Sequence, residues 1–216
     1  MNDLFDSLPD LRPVREQIAE GAVLLRGLAR DGEADLIAAL RDVVACAPFR
    51  HMQTPGGHRM SVAMTNCGAV GWVTDRSGYR YAATDPDSGQ PWPAMPAPLR
   101  DLALRAAVQA GFPGFDPDAC LINRYRPGAK MALHQDKDEQ DFGAPIVSVS
   151  LGLPATFLFG GMARSDKPLR LALTHGDVVA WGGPARLAYH GVAPLKDGTH
   201  PLLGPQRINL TFRKAR

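Results

Sequence analysis

The chain of 216 residues is 45% hydrophobic and 21% charged, with a formal net charge of +2, which is ordinary for a globular protein. Its length fits a single domain, and no stretch approaches the roughly 20 apolar residues that cross a bilayer. The acidic N-terminus lacks the apolar segment of a signal peptide, and three cysteines without C-x-x-C spacing indicate reduced thiols. We therefore expect a cytoplasmic protein without a disulfide framework, a zinc site or a membrane anchor.

The N-terminal part of the chain combines helical and irregular patterns. Residues 1–20 are mixed in character and are predicted to be a lead-in. Asp31 is predicted to cap a helix that ends near Cys46, because apolar residues recur on one stripe before Pro48. The other predicted elements are a strand at Val23–Leu25, a short strand near Ser61–Met64 inside the Gly- and Pro-rich segment 50–96, and a helix from Pro98 to Gln109 that stops at Gly111.

From Ala119 onwards the pattern changes to short strands separated by glycine-containing turns. The predicted strands are residues 119–125, 131–136, 146–151, 155–159, 169–174, 177–181, 186–190 and 206–213. Many short strands with turns between them are typical of a sandwich or jelly roll. Because the helices precede this block and do not alternate with it, the sequence favours a mainly β, α+β fold over a parallel sheet.

The triplet His134-Gln135-Asp136 has the pattern of two metal ligands on one strand. Side chains at positions i and i+2 of a strand share a face, so His134 and Asp136 are predicted to project side by side. A second histidine, His190, would complete a 2-His-1-carboxylate face, which is the geometry of non-haem Fe(II) oxygenases. A polar strand edge is the alternative interpretation of the triplet taken alone.

A second triplet with the same spacing, His175-Gly176-Asp177, is followed by the apolar run Val178–Trp181. Gly permits a positive φ and Asp favours turns, so this triplet is predicted to be a tight turn leading into a strand. A turn does not hold positions i and i+2 on one face, and we therefore expect structural roles for His175 and Asp177.

The segment Arg207–Arg213 alternates strictly between polar and apolar residues. One interpretation is a strand with one solvated face, whose arginines discourage edge aggregation. The other is an anion site, in which Arg207 and Arg213 lean towards each other and hold a dicarboxylate such as 2-oxoglutarate. Asn123 and Tyr125 would offer an amide and a phenol from one strand face to the same kind of ligand.

Taken together, these motifs resemble the AlkB family of Fe(II)/2-oxoglutarate-dependent dioxygenases, close to its bacterial founding member, over roughly residues 20–214. The segments that carry the resemblance are Thr54–Gly57, Met60–Gly68, Asn123–Gly128, His134–Glu139, His190-Gly191 and Arg207–Arg213. The resemblance implies a double-stranded β-helix (jelly-roll) core at 119–214, preceded by helices and a nucleotide-recognition lid at 21–118. One departure is His58, where the bacterial pattern usually has Tyr.

The resemblance also implies roles for individual residues. His134, Asp136 and His190 would bind iron and form the catalytic centre. Two further sets are implied: for 2-oxoglutarate, Asn123, Tyr125, Arg207, Asn209 and Arg213; for substrate, Trp72, Tyr79, His58, Met64, Asp138 and Arg164. Trp72 would stack on an extruded base, and Asp138 would face the positive charge of a methylated one. The arginines that are candidates for phosphate contacts are Arg50, Arg76, Arg80 and Arg164.

The implied activity is oxidative demethylation of N-alkylated bases, of the 1-methyladenine and 3-methylcytosine type. DNA is the implied substrate, and RNA is a further candidate. The reaction would use Fe(II), O2 and 2-oxoglutarate and release formaldehyde, succinate and CO2, and the protein would act as a monomer. Three alternatives stay open: an iron hydroxylase of a protein or small molecule, a catalytically idle nucleic-acid-binding jelly roll, and a zinc hydrolase. Fold alone does not decide among them.

Overall fold

The computed structural model describes residues 14–216, which form thirteen strands and two α-helices. In the first half these are β1 Arg15–Ala19, β2 Ala22–Leu25, α1 Glu33–Cys46, β3 Ala63–Gly68, β4 Gly71–Asp75, β5 Gly78–Ala82 and α2 Ala97–Ala110. In the second half they are β6 Ala119–Tyr125, β7 Met131–His134, β8 Ile146–Gly152, β9 Ala155–Phe159, β10 Leu169–Leu173, β11 Val178–Trp181, β12 His190–Val192 and β13 Arg207–Arg213.

Two antiparallel sheets face each other and confirm the mainly β, jelly-roll expectation. The larger sheet has the order β1-β2-β11-β8-β13-β6-β3, and the smaller one has the order β10-β9-β12-β7. A separate two-stranded hairpin is formed by β4 and β5. Neighbouring strands in each sheet come from distant parts of the chain, so residues far apart in sequence meet in the space between the sheets.

The two faces of the larger sheet bury different partners. On the outer face, Ile208, Leu210 and Phe212 of β13 pack in one apolar cluster with both helices. On the inner face, side chains such as Tyr125 and Trp181 pack with residues of the smaller sheet, including Phe157. The order of layers is therefore helices, larger sheet, smaller sheet. The polar residues of β13 project into the inner space, and all seven residues of the strand are buried.

The interpretation of β13 as a strand with one solvated face is therefore wrong. β13 lies between β8 and β6, and it pairs with both along its length. Alternating polar and apolar residues normally indicate an antiparallel strand with one face in solvent, which is why this pattern gave the wrong interpretation. In this protein the polar side of the alternation faces an internal site, which buries Arg207 and Arg213.

Both predicted helices are present, although one predicted cap is not. The N-cap residue of α1 is Gly32, which has a left-handed backbone conformation with a φ of 84°. No side chain forms a capping hydrogen bond at this end of the helix. The prediction that Asp31 caps it is therefore wrong. α2 spans Ala97–Ala110 and ends at Gly111, whose φ of 96° allows its N–H to close the last turn onto Ala107 and Val108.

Several predicted strand bounds were wrong. The lead-in at 1–20 contains β1, paired with β2, while residues 1–13 lie outside the described part of the chain. The strand predicted at 131–136 ends at His134. Most of the strand predicted at 186–190 is irregular: it follows a 3-10 turn at Gly183–Ala185, and β12 begins only at His190. The strand predicted near Ser61–Met64 lies further along, at Ala63–Gly68.

The three cysteines, Cys46, Cys67 and Cys120, are all free thiols, as the sequence predicts. No helix within residues 14–216 is both long enough and apolar enough to span a membrane.

Candidate metal and keto-acid site

The smaller sheet brings the two histidines of the predicted triad together. β12 pairs antiparallel with β7, and His190 lies directly opposite His134 in the register. Their ring centroids are 4.4 Å apart. A Cβ on Gly191 would lie 2.7 Å from the carbonyl oxygen of Met131, so the glycine that follows His190 allows β12 to approach β7 this closely.

The carboxylate of the triad lies just beyond the end of β7. Asp136 Oδ1 is 3.6 Å from His134 Nε2, and Asp136 Oδ2 is 3.8 Å from His190 Nε2. One ligand atom from each of the three residues lies within 4.8 Å of the other two. The three side chains that the sequence predicts to meet therefore do meet, although Asp136 lies beyond the end of β7 and shares no strand face with His134.

Both imidazoles turn the same nitrogen towards that meeting point. His134 Nδ1 is 2.9 Å from the carbonyl oxygen of Ala132, and His190 Nδ1 is 3.0 Å from that of Ala188. A backbone carbonyl accepts a hydrogen bond, so each Nδ1 carries a proton, and the neutral form of each ring offers the lone pair of Nε2 to a metal. Two neutral nitrogen donors and one carboxylate are the donor set of non-haem Fe(II) sites.

The electrostatic surroundings keep Asp136 and His190 in the protonation states that bind metal. Burial alone would raise the pKa of Asp136, but the charges of Arg213 and the two histidines outweigh it and lower that pKa below its ordinary value. Burial, with a smaller contribution from His134, lowers the pKa of His190 to about 4. At neutral pH the aspartate is therefore ionised and His190 is neutral, as metal coordination requires.

The inner space between the sheets also contains unpaired polar atoms. Arg207 is 1% exposed, its Nη2 donates to Ser150 Oγ at 2.9 Å, and its guanidinium carbon lies 5.0 Å from the centroid of the Tyr125 ring. Among the described residues, nothing accepts a hydrogen bond from Arg207 Nε or Nη1, and nothing donates one to Asn123 Oδ1. Buried donors without acceptors are costly, so this end of the site fits a carboxylate.

The opposite end of β13 lies at the triad. Arg213 donates to Asp136 Oδ2 from both Nε and Nη2. Asn209, midway along the strand, donates to Ser148 Oγ at 2.8 Å. A small cavity lies beside this strand, and its lining includes the polar residues Asn123, Tyr125, His134, Ser148, His190, Asn209, Thr211 and Arg213. Arg207 is not part of that lining, although Tyr125, which its guanidinium contacts, is. The donor set and the orphaned guanidinium therefore fit a metal-bound dicarboxylate such as 2-oxoglutarate.

A larger cavity of about 400 Å³ opens outward from the triad. Its lining includes His134, Asp136 and Arg213 on one side and Trp72, Tyr79, Asp138, Met64 and Arg164 on the others. Trp72 and Tyr79 stack with ring centroids 5.7 Å apart and an interplanar angle of 18°. Trp72 Nε1 donates to Asp138 Oδ2 at 2.8 Å. The hairpin of β4 and β5 thus presents an aromatic wall with an adjacent carboxylate.

Not every predicted substrate residue lies at this cavity. His58 lies on an exposed turn, where its N–H donates to Thr54 Oγ1, and it is not part of the lining formed by residues 14–216. Arg164 does line the cavity; its guanidinium donates to the carbonyl of Leu133 and lies over the Tyr189 ring. Met64 lines it from β3.

Two of the predicted phosphate-binding arginines are engaged elsewhere. Arg50 forms ion pairs with Asp85 and Asp87, and Arg80 forms a bidentate pair with Asp75. The guanidinium groups of Arg50 and Arg80 are therefore already paired with carboxylates, and these pairs do not support a phosphate contact by either residue.

The second triplet forms a turn, as predicted. Asp177 accepts hydrogen bonds from the N–H groups of Gly27 and Thr174. His175 Nδ1 accepts from the N–H of Gly152, and His175 Nε2 lies 2.8 Å from a carboxylate oxygen of Glu33. The turn therefore fastens the start of β11 to its surroundings and supplies no ligand to the triad.

Sequence reasoning missed the residues that support the triad. The sequence analysis predicts no role for Glu139, but this residue is 6% exposed and contacts Tyr81, Arg186 and Arg213. Glu139 directly follows the exposed Asp138 in an irregular segment, so no periodic pattern marks it as buried. Its burial becomes evident only when the partners from β5, β13 and the segment before β12 are brought together.

Comparisons with known proteins agree with this geometry. A protein-family model described as "2OG-Fe(II) oxygenase superfamily" matches residues 21–213. The chain is 58% identical over 212 residues to "Alpha-ketoglutarate-dependent dioxygenase AlkB" of Escherichia coli strain K12, covering 98% of each chain. It is 49% identical over 171 residues to "Alpha-ketoglutarate-dependent dioxygenase AlkB homolog" of Caulobacter vibrioides, covering 79% of this chain and 76% of the relative.

A solved structure extends the likeness to three dimensions. The structure described as "The structure of OsALKBH1" superposes with a TM-score of 0.79 at 32% sequence identity, covering 93% of this chain and 99% of that one.

Proposed function

Because the chain belongs to the AlkB family within the 2OG-Fe(II) oxygenase superfamily, we propose that it demethylates N-alkylated bases oxidatively. Fe(II) and 2-oxoglutarate are the family's cofactor and co-substrate, and O2 is the oxidant. The proposed substrates are bases of the 1-methyladenine and 3-methylcytosine type in DNA. The products would be the repaired base, formaldehyde, succinate and CO2.

The observation that carries this proposal is the cavity over the triad. It has an aromatic wall formed by Trp72 and Tyr79, an adjacent carboxylate on Asp138, and His134 and Asp136 in its lining. A planar cationic base is recognised by stacking on an aromatic face together with an opposite charge. A hydroxylase of aliphatic metabolites has no use for such a wall, and a binding module has no use for the triad.

The site residues have distinct proposed roles. His134, Asp136 and His190 would hold the iron, Arg207 with Asn123 and Tyr125 would hold the distal carboxylate of 2-oxoglutarate, and Arg213 with Asn209 would hold the end near the metal. The chemistry supplied by the bound iron, keto acid and O2 is hydroxylation of the N-methyl carbon, after which the hydroxymethyl group leaves as formaldehyde. The chain itself supplies ligands, placement and a site shielded from water.

The residues of the outer cavity would select the lesion. A base inside a duplex must be extruded or single-stranded to reach the triad at the base of the cavity. Trp72 would stack on that base, and Asp138 would favour a methylated cation over the neutral undamaged base. Met64, Tyr79 and Arg164 would complete the substrate contacts, while His58 would contact the nucleic-acid backbone near the exposed turn that carries it.

Three broader assignments accompany this proposal. RNA with the same lesion presents the same base and is the second candidate nucleic acid. The chain would act in the cytoplasm as a monomeric single domain, in which residues 21–118 supply the helices and the lid and residues 119–214 supply the catalytic core. The free thiols support a reducing compartment.

Release of formaldehyde from methylated oligonucleotides tests the proposal. The protein should form formaldehyde and at least an equal amount of succinate when Fe(II), O2, 2-oxoglutarate and a 1-methyladenine oligonucleotide are present, and formaldehyde should disappear when the methyl group is absent. Succinate formation without any formaldehyde, on every methylated DNA and RNA tested, would favour a hydroxylase of another substrate. Absence of both products would favour a catalytically idle binding module.

A further inference from the structure

A buried cluster of side chains lies behind Asp136, and three of its members, Tyr81, Glu139 and Arg186, have no part in the reaction proposed above. Glu139 is its centre: one carboxylate oxygen accepts from the Tyr81 hydroxyl at 2.6 Å, and the other accepts from Arg186 Nη2 at 3.0 Å. Arg213 Nε lies 3.4 Å from Glu139 Oε1. The side chains of Glu139, Arg186 and Arg213 are only 2%, 4% and 7% exposed, so these charges are compensated within the cluster.

The two arginines of this cluster hold Asp136 from opposite sides. Arg213 donates to the carboxylate of Asp136, whereas Arg186 Nη1 donates to its backbone carbonyl at 2.8 Å. Arg186 Nε donates in addition to the carbonyl of Ala144. Asp136 lies beyond the end of β7, where no strand ladder fixes its backbone. Arg186 and Arg213 therefore fix the position of Asp136, as the strand pairing of β7 and β12 fixes the positions of His134 and His190.

Glu139 is the group that allows two guanidinium cations to share this small volume. With Glu139 ionised, Arg186 and Arg213 are matched by two carboxylates, those of Glu139 and Asp136. Without that charge, both guanidinium groups would be matched by Asp136 alone, in a buried place where an unpaired charge is strongly disfavoured. At least one arginine would then move towards solvent and release part of Asp136.

The same acid ties the aromatic wall to the metal site. Tyr81 belongs to β5 and lies opposite Trp72 of β4 in the register of the hairpin. Its hydroxyl donates a hydrogen bond to Glu139, Glu139 forms an ion pair with Arg213, and Arg213 donates to Asp136, so these contacts connect the hairpin that carries Trp72 and Tyr79 to Asp136. The chain of contacts runs without interruption from the lesion-binding wall to the carboxylate ligand.

We propose that Glu139 is a positioning residue, which fixes the ligand Asp136 through Arg186 and Arg213 and fixes the lesion-binding hairpin through Tyr81. This inference rests on the proposed function only in taking His134, Asp136 and His190 as the metal ligands. Supporting groups behind a metal ligand typically change metal affinity by about 10–100-fold when they are removed.

The metal end of the proposal is tested with Co(II), a redox-stable stand-in for Fe(II), by absorption titration of the full chain without 2-oxoglutarate. Glu139→Gln should raise the Kd for Co(II) by about 10–100-fold, whereas the same substitution at the exposed Glu20 should leave it unchanged. A wild-type protein that binds no Co(II) would contradict the metal site itself. A folded Glu139→Gln protein with wild-type affinity would overturn the positioning role alone.

Two further variants keep the test decisive if Glu139→Gln does not fold. Arg186→Lys keeps the charge but not the set of contacts to Asp136, Ala144 and Glu139, so it should weaken Co(II) binding in the same range; unchanged affinity would overturn the proposal. Tyr81→Phe removes one hydroxyl and leaves the metal ligands supported. It should raise the KM for a methylated oligonucleotide by about 3–10-fold, the loss expected for one hydrogen bond, at unchanged kcat and Co(II) affinity. An unchanged KM would overturn the link to the hairpin.

Discussion

Arg213 donates two hydrogen bonds to a single oxygen of Asp136, with Nε at 2.8 Å and Nη2 at 2.5 Å from Oδ2. Both residues are buried, and the pKa of Arg213 is raised because the pull of Asp136 and its other partners exceeds the effect of burial. Oδ1 is left on the side of His134. The pair therefore orients the carboxylate and leaves one oxygen open towards the triad.

Arg207, on the same strand, has no such carboxylate within the described residues, and this difference gives the first prediction. Arg207→Met should raise the KM for 2-oxoglutarate by roughly 30-fold or more, because losing one partner of a buried charge pair costs about 2–5 kcal/mol. The metal-free variant should be at least as stable as wild type, since it no longer buries a cation without a counter-charge. Succinate kinetics and thermal melting measure the two effects.

The exposed Arg170 of β10 offers a matched control for Arg207. Arg170→Met should change neither the KM for 2-oxoglutarate nor the melting temperature appreciably. An Arg207→Met variant with wild-type keto-acid kinetics would remove Arg207 from the anion site.

Asp138 gives the second prediction, because its carboxylate both faces the cavity and accepts from Trp72 Nε1. If its charge selects the cation, Asp138→Asn should lower kcat/KM for 1-methyladenine by about 10-fold, the loss of one electrostatic contact of ~1.4 kcal/mol. Uncoupled turnover of 2-oxoglutarate should fall much less. Parallel assays of formaldehyde and succinate separate the two activities.

Trp72→Phe serves as the comparison for Asp138→Asn, since it removes the hydrogen bond between residues 72 and 138 but keeps both the aromatic face and the charge of Asp138. Its preference for a cationic over a neutral alkylated base should resemble that of wild type. If both variants lose that preference equally, Asp138 acts by holding Trp72, and a direct charge contact with the lesion is ruled out.

The buried His190 gives the third prediction, which concerns the metal-free protein. Its pKa is lowered from 6.5 to about 4, mainly by burial, so between these values the unfolded chain binds a proton that the folded chain does not. Stability should therefore fall as the pH is lowered through this window, by up to about 1.4 kcal/mol per pH unit from this group. Urea unfolding of wild type and His190→Gln measures the difference in slope; equal slopes would contradict it.

Asp177 gives the fourth prediction, as the aspartate of the triplet that forms a turn. It is 1% exposed and accepts hydrogen bonds from two backbone N–H groups and from Arg26. Asp177→Asn should reduce the free energy of unfolding by at least about 1–3 kcal/mol and leave the affinity for Co(II) unchanged. Asp136→Asn, by contrast, should abolish Co(II) binding and have the smaller effect on the free energy of unfolding. Weakened metal binding in a folded Asp177→Asn protein would contradict the structural assignment.

The sequence predicted the main architecture because most strands carry strong local patterns. β6 and β9 match their predicted bounds, and α2 ends at the glycine that was expected to stop it. The wrong elements share a cause: where the backbone is held by distant partners, local pattern is weak. β12 is only three residues long and exists because β7 and β9 flank it, and the α1 cap is a backbone conformation of Gly32.

The site residues likewise fall into a group that the sequence predicts and a group that it does not. The triad and the arginines of β13 follow from residue type and spacing, which reflect the chemistry that the ligands require. The supporting cluster around Glu139 does not, because Tyr81, Glu139 and Arg186 are remote in sequence and each is unremarkable by itself. Their roles arise from tertiary contacts, which no local pattern encodes.

The central claim is that the triad and the aromatic cavity together remove methyl groups from bases, and the intact mass of an oligonucleotide tests it most directly. A single-stranded DNA with one 1-methyladenine is incubated with the protein, Fe(II), ascorbate and 2-oxoglutarate. The account predicts that its mass falls by one CH2 group with wild type and stays constant with His190→Gln. An unchanged mass for DNA and for the matching RNA, with a wild-type protein that still converts 2-oxoglutarate to succinate, would contradict it.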